Sequence, residues 1–518
     1  MPKSKRTAHY VFSTHWDREW YESFQDFRFR LVQMIDEVLD TMNQNPEFRY
    51  FQTDGQSILI EDYLEIRPER ESEIQSLAEA GRIRLGPWYV APDEFLVSGE
   101  SLVRNLQLGI QVASQYGQPS RIGFACDAFG NISQLPQILR GFSIDNAMIS
   151  RGTSTKTHGA VWYWQSPDGS RVITYRFGHG MGYSSYATYV RKATLHVEPF
   201  NVDNAMKDLS HLIDQEKKYC PTPSFLLFDW ADHMEYEPQT LELINKFNKR
   251  SKDVEIVFSH LEAFIEDLRE QRENITKVFT GELCQPQETP EDIPFISGVQ
   301  SSRIHLKQTN ARCENELCQW AEPFSAFASG LGLTYPHQYL HLAWRYLLQN
   351  HPHDSICTCS IDQVHKDMEY RFDQSILIAR QVISEALRHI ALQVKRPELG
   401  DKDSIIVVFN ANSNSIDGSV DLTLTFPHDI DAIFYEGFGY ENKVGFRLYD
   451  HQGKQIPYQL VNQRLNRITY RRVPKKFPLK TKQHEVDISV QLKVPAYGYT
   501  TIVCRPIKNV PTRHIGTM

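Results

Sequence analysis

Four short segments carry carboxylates, three of them together with imidazoles, at spacings that could do chemistry. In His15-Trp16-Asp17, an extended backbone would turn residues i and i+2 to the same side, so one imidazole and one carboxylate could face one cation. The same pair also reads as a hydrogen-bonded histidine beside a helix-capping aspartate. Asp127 opens the stretch DAFGNISQLPQIL (127–139), either as a reactive carboxylate or as the cap of a turn or helix. The segment NHPHDS (350–355) sets His351, His353 and Asp354 around Pro352, and it too could be a helix start, with Asp354 or Ser355 as N-cap. Asp229, Asp232 and His233 form the fourth group. Together, His15, Asp17, Asp127 and His353 offer two nitrogen and two oxygen donors. That set suits zinc with at least one position open to substrate. Asp232 adds a second carboxyl for proton transfer.

Such groups meet only if the elements before them run side by side. From residue 8 to about 285, short apolar runs alternate with helical stretches. Strands are expected at 9–12, 48–51, 83–85, 122–126, 147–149, 172–175, 225–228 and 254–258, with helices at 27–42, 57–66 and 71–80 and Gly81 as a left-handed helix stop. Nearly continuous apolar strands alternating with helices predict a mostly parallel, barrel-like α/β domain. In such folds active sites form beyond the carboxyl ends of the strands. The strand at 9–12 leads to His15 and Asp17, 122–126 to Asp127, 147–149 to Arg151, and 225–228 to Asp229, Asp232 and His233. Parallel neighbours would bring them to one rim.

From about 299 to 396 the pattern is helical. Ile376, Ala379, Ile383, Leu387, Ile390 and Val394 recur at three- and four-residue steps, as do Leu340, Trp344 and Leu347. Beyond 404, alternating strands at 405–409, 420–426 and 486–494 predict a β-sandwich or part of one. The chain therefore divides into an α/β catalytic domain (1–290), a helical bundle supplying one metal ligand (291–400) and a β-rich domain (401–518).

A net charge of −8 and no basic run interleaved with aromatics speak against nucleic acid. No stretch reaches the roughly 18 apolar residues of a membrane span, and MPKSKRTAHYVF lacks the apolar core of a leader, so a cytoplasmic protein is expected. The eight cysteines show no disulfide spacing. Cys357 and Cys359 form a CxC pair, but without a second such pair they read as inert reduced thiols rather than a structural zinc site. The segment Gly178-His179-Gly180-Met181-Gly182 fails as a dinucleotide loop, because Tyr183 stands where the third glycine must fall.

Five segments, THWDREWY (14–21), CDAFGNISQLPQIL (126–139), DWADHMEYEP (229–238), SSRIHLKQTNARCENEL (301–317) and HPHDSICTCSIDQVH (351–365), resemble in order and spacing the motifs of glycoside hydrolase family 38. The His-Trp-Asp-Arg-Glu-Trp form resembles the bacterial branch of α-mannosidases and mannosylglycerate hydrolases. The resemblance implies one zinc ion per chain held by His15, Asp17, Asp127 and His353, with Asp127 also the nucleophile and Asp232 the acid/base. Trp20, Arg151 and Asp354 match substrate-contacting positions, and His233 is counted with them. Asp229-Trp230 departs from the Asn-Gly expected before Ala-Asp-His.

The implied activity is that of a retaining, exo-acting α-mannosidase. Two carboxyls about 5–5.5 Å apart would serve as nucleophile and acid, acting on a mannose-containing carbohydrate. Mannosylglycerate hydrolysis is the alternative within the family. A metal-dependent sugar deacetylase is the rival enzyme, needing no nucleophilic carboxylate. Relatives of the resembled family continue further in β structure, so the sequence ending VPTRHIGTM (510–518) is expected to be a fragment with an intact glycone site. Its exposed β edge would favour a homo-oligomer.

Overall fold

The computed structural model describes residues 5–178, 181–193, 199–220, 222–290, 292–395, 399–435 and 442–508. His179 and Gly180 of the glycine-rich segment and the terminal 510–518 lie outside them. The chain forms two compact units, residues 1–318 with 337–380, and 319–336 with 381–518.

Among the described residues, the first unit carries ten strands in chain order: β1 (Arg6–Thr14), β2 (Phe51–Thr53), β3 (Ile83–Arg84), β4 (Phe124–Ala125), β5 (Asn146–Ile149), β6 (Val161–Gln165), β7 (Arg171–Arg176), β8 (Ser224–Asp229), β9 (Val254–Phe258) and β10 (Val278–Thr280). β1 is central, paired in parallel with β8, β9 and, at its carboxyl end, β2, which pairs with β3. A second sheet has the order β10-β6-β7-β5-β4, parallel except where β6 meets β7. The expected parallel α/β domain is therefore present, its strands sorted into two sheets. β1 explains why its sequence lacks a strict alternation: residues 8–14 are buried on both faces, so no polar face is needed.

Helices cover the sheets through apolar stripes. In Phe24–Gln44 the buried residues Phe27, Leu31, Met34, Ile35, Val38, Leu39 and Met42 repeat at three and four, and Ser23 with Asp26 forms a capping box. The helix Glu71–Glu79 stops at Gly81, which takes φ +69°.

In the second unit, β11 (Ser404–Asn410), β19 (Gly498–Pro506), β15 (Phe446–Tyr449) and β16 (Gln455–Ile456) form one antiparallel sheet. β12 (Ile416–Pro427), β18 (Leu479–Val494) and β17 (Tyr458–Arg471) form another. A separate ribbon pairs β13 (Ile433–Tyr435) with β14 (Asn442–Val444). Phe426, Val486, Ile488 and Val490 of the second sheet share a core with Phe446, Leu448 and Ile502 of the first, as in a sandwich. No described helix is long and apolar enough to cross a membrane.

Candidate active site

The ladder between β1 and β8 continues past both strands. His15 N–H donates to the Ala231 carbonyl (3.1 Å) and His233 N–H to the His15 carbonyl (2.8 Å), so His15 and Asp232 lie side by side. β4 pairs with β5 up to Ile149, which carries Asp127 beside Arg151. His353 arrives from the helix His353–Ile356, where its N–H donates to the Ala91 carbonyl (2.9 Å). That helix has Pro352 as N-cap, so Asp354 and Ser355 lie within its turn, and the capping alternative does not apply to them.

The result is a buried cluster. His15 Nε2 is 2.9 Å from Asp17 Oδ1 and 3.5 Å from Asp127 Oδ2, and His353 Nε2 is 3.3 and 3.2 Å from the same two oxygens. The imidazoles lie nearly parallel, with centroids 5.4 Å apart. Asp127 divides its oxygens, Oδ2 facing the imidazoles and Oδ1 accepting from Arg151 Nε at 2.8 Å. Despite these separations, His15 Nε2, His353 Nε2 and Asp17 Oδ1 are buried without a hydrogen-bond partner. Lone-pair atoms left unpaired and turned toward a common point fit a metal centre, because burying them otherwise costs about 1–3 kcal/mol each. The ligand atoms of His15, Asp17 and His353 all lie within 4.8 Å of one another, close enough to share a single ion. The ring orientations agree. His353 Nδ1 meets the Ala91 carbonyl, which only accepts, so Nε2 of the neutral ring keeps its lone pair for the cluster.

The electrostatics are those of a site with excess negative charge. Burial opposes the imidazolium of His15, yet Asp17 and Asp54 outweigh it and hold its pKa well above the usual value. His353 is pushed up to about 10 by Asp354, Asp127 and Asp17, against the same burial. Asp127 is also opposed by burial, but Arg151 and the two histidines keep its carboxyl well below the usual range. Asp232 goes the other way: burial, then repulsion from Asp17 and Asp127, raises it to about 6.

The remaining expected residues surround the cluster. Asp354 is buried, with Oδ2 3.5 Å from His353 Nε2. His233 backs Asp17 (Nε2 to Oδ2, 3.5 Å), stacks on Phe27 and meets the Tyr21 hydroxyl at 3.0 Å, and burial lowers its pKa to about 4. Trp20 is half-buried and edge-on to that Tyr21 ring (5.0 Å). Trp230, where the motif departs from expectation, is buried against the rings of His15 (4.9 Å) and Tyr183 (4.1 Å).

Three groups escaped the sequence reading. Asp54 Oδ2 accepts from His15 Nδ1, Trp16 N–H and Gln56 Nε2, each at 2.9 Å, so it sets which nitrogen of His15 faces the cluster. It follows β2 directly, and asking which polar residue succeeds each apolar run would have found it. Glu19 is wholly buried and accepts from Arg371 and from Ser355 Oγ (2.8 Å), tying the His15–Asp17 loop to the His353 turn. Tyr183, which broke the dinucleotide fingerprint, points its hydroxyl toward Asp232 Oδ1 at 3.5 Å.

An α/β domain that gathers two histidines and two aspartates into one buried, cation-ready cluster at the carboxyl ends of parallel strands defines the class of this protein. The chain belongs to glycosyl hydrolase family 38: the N-terminal domain of that family matches residues 5–284 and the alpha mannosidase middle domain matches residues 295–390. It is 32% identical, over 79% of its length, to a Halalkalibacterium halodurans protein provisionally described as a mannosylglycerate hydrolase, of which the match covers 46%. It is 23% identical over 73% of its length to alpha-mannosidase G of Dictyostelium discoideum, covering 32% of that protein. The solved structure of an alpha-mannosidase from Enterococcus faecalis superposes on 97% of the chain with a TM-score of 0.85 at 26% identity, and the match covers 56% of that structure. The chain thus spans less than half the length of these curated relatives.

Proposed function

We propose that this protein is a retaining, exo-acting α-mannosidase that removes α-linked mannose from oligosaccharides or small mannosides with one zinc ion per chain. The observation carrying the proposal is the juxtaposition of Asp127, ionised and clamped by Arg151, with Asp232, protonated up to about pH 6, beside the unpaired donor atoms of His15, Asp17 and His353. Two carboxyls pushed to opposite protonation states by their surroundings are what a nucleophile and an acid need.

In this mechanism His15, Asp17, Asp127 and His353 would hold the metal. When bound, zinc supplies positive charge and orientation for the cis hydroxyls at C2 and C3 of mannose. Asp127 attacks the anomeric carbon through a carboxylate oxygen, forming a glycosyl ester as the bond to the leaving oxygen breaks. Asp232 gives its proton to that oxygen. Asp232, now ionised, takes a proton from water, whose oxygen displaces Asp127 and restores the original anomeric configuration. Arg151 keeps Asp127 ionised before its attack and favours its return as a carboxylate when the ester breaks. Trp20, Asp354 and His233 are proposed to contact the substrate. The setting proposed is the reducing cytoplasm, in keeping with eight cysteines that form no disulfide.

The test is proton NMR of the first-formed mannose from an activated aryl α-mannoside, with Asp127→Asn as the control. Release of the α anomer by the wild type and loss of turnover in the variant are expected. Initial release of β-mannose, or near-wild-type turnover by the variant, would sink the reading. The Halalkalibacterium relative favours one second reading, hydrolysis of mannosylglycerate. Product analysis on a panel of mannosides and mannosylglycerate separates the two.

A further inference from the structure

Asp354 has two faces. Its Oδ2 looks toward His353 in the cluster described above, while Oδ1 meets Cys359 Sγ at 3.1 Å. The Cys357 and Cys359 sulfurs both lie against the Asp354 carbonyl, at 3.6 and 3.8 Å. The Oδ atom and the two sulfurs fall within 4.8 Å of one another. Cys357 is buried, whereas Cys359 is exposed. The sequence offers no second cysteine pair, but a carboxylate three residues upstream of Cys357 stands beside the two thiols.

The backbone is bent to make this arrangement. Thr358, between the cysteines, adopts φ +69°, a conformation that costs a β-branched residue about 1–3 kcal/mol. Two cations hold it there. Lys307 Nζ donates to the Cys357 carbonyl and the Thr358 hydroxyl, both at 3.1 Å, and to the Ser302 carbonyl at 2.7 Å; Arg303 Nη1 donates to the Thr358 carbonyl at 2.7 Å. Strain maintained by three hydrogen bonds to the turn marks a geometry with a use. What it achieves is to place both sulfurs on one side, beside Oδ1 of Asp354.

We propose that Asp354, Cys357 and Cys359 form a second cation site, selective for a thiophilic divalent ion and joined to the first cluster through the two oxygens of Asp354. Tetrahedral coordination with metal–sulfur bonds of about 2.3 Å and a metal–oxygen bond of about 2.1 Å needs donor separations of about 3.6–3.8 Å. The cluster closes to that geometry by small side-chain movements. Binding replaces two S–H bonds by two metal–sulfur bonds and releases two protons, so no oxidant is consumed. Exposed Cys359 leaves the entry path and a fourth position for water. Two thiolates and a carboxylate select soft ions, in contrast to the nitrogen and oxygen donors of the first cluster. Arg303 is itself paired with Asp362 at 3.0 Å.

The probe is cadmium, titrated into the reduced chain after preincubation with zinc, with the near-ultraviolet thiolate-to-cadmium charge-transfer band as readout. Only sulfur ligands produce this band, so it reports nothing of the first cluster, and mannoside hydrolysis assays that cluster separately. The band should saturate at one cadmium per chain. It should persist in Asp127→Asn, and it should be lost in Cys359→Ser and in Cys357→Ala/Cys359→Ser. Cys359→Ser guards against misfolding, because that side chain is exposed and serine retains a donor to Asp354. Equal bands in the wild type and the double variant would overturn the proposal. So would formation of a Cys357–Cys359 disulfide, two hydrogens lighter by mass spectrometry, in place of ion binding.

Discussion

Asp54→Asn should weaken the metal centre without replacing any proposed metal ligand. The Asp54 carboxylate is buried (1% exposed) and one oxygen accepts three hydrogen bonds, from His15 Nδ1, Trp16 N–H and Gln56 Nε2. Asparagine keeps the shape and one acceptor oxygen but removes the charge. Hydrogen bonds to a charged acceptor are worth about 1.5–3 kcal/mol and neutral ones about 0.5–1.5 kcal/mol, so each bond loses about 1 kcal/mol. Of these losses, only that on His15 weakens the ligand itself, by making its Nε2 less basic and its ring less fixed. Changes of this kind at metal-bound histidines typically cost 10- to 100-fold in affinity, about 1.4–2.7 kcal/mol. Asp54→Ala should cost more, since three donors would be left in a buried space at about 1–3 kcal/mol each. The assay is zinc affinity by competition with a chromophoric chelator, paired with mannoside hydrolysis at limiting and saturating zinc. Asparagine should raise Kd 10- to 100-fold, with activity recovering at saturating zinc. An unchanged Kd, or a loss of activity that zinc does not restore, would refute the argument that Asp54 works through His15.

Asp232→Ala should impair substrates with poor leaving groups far more than activated aryl mannosides, because only the former need the proton. Asp232 is raised to about 6 by burial, so it is protonated below that pH. Wild-type kcat on a poor leaving group should fall as pH rises through about 6, and the variant should lose that limb in a pH–rate profile. Chelation should abolish activity and lower Tm. Restoring zinc to 100 times its Kd should return about 2.7 kcal/mol, read by thermal unfolding. The metal affinity should rise with pH, because His15 and His353 have raised pKa values and metal must displace their protons. Gly81→Ala should destabilise the first unit by about 1–2 kcal/mol in denaturant unfolding, since φ +69° places a Cβ against the following carbonyl oxygen and 3.2 Å from Arg84.

What could be read directly from the sequence was local or periodic. The 3.6-residue stripe from Phe27 to Met42, the left-handed stop at Gly81 and the alternation in β18 each follow from side chains within one segment, so burial of their apolar faces has one solution. The carboxyl-end rule then pointed from β1 to His15 and Asp17, and from β4 to Asp127, before any contact was known. Tertiary structure alone decided which donors meet and how they are oriented. Asp54 is 39 residues from His15, and Arg371 is 352 residues from Glu19, so no spacing rule connects them. The same holds for the bent turn at Thr358. Its φ depends on Lys307 and Arg303, about fifty residues away, and only that bend turns a plain CxC pair and Asp354 into one cluster. Periodicity expresses the cost of exposing apolar surface, which each segment meets by itself, whereas hydrogen bonding of buried polar groups is satisfied only between segments once the chain has folded.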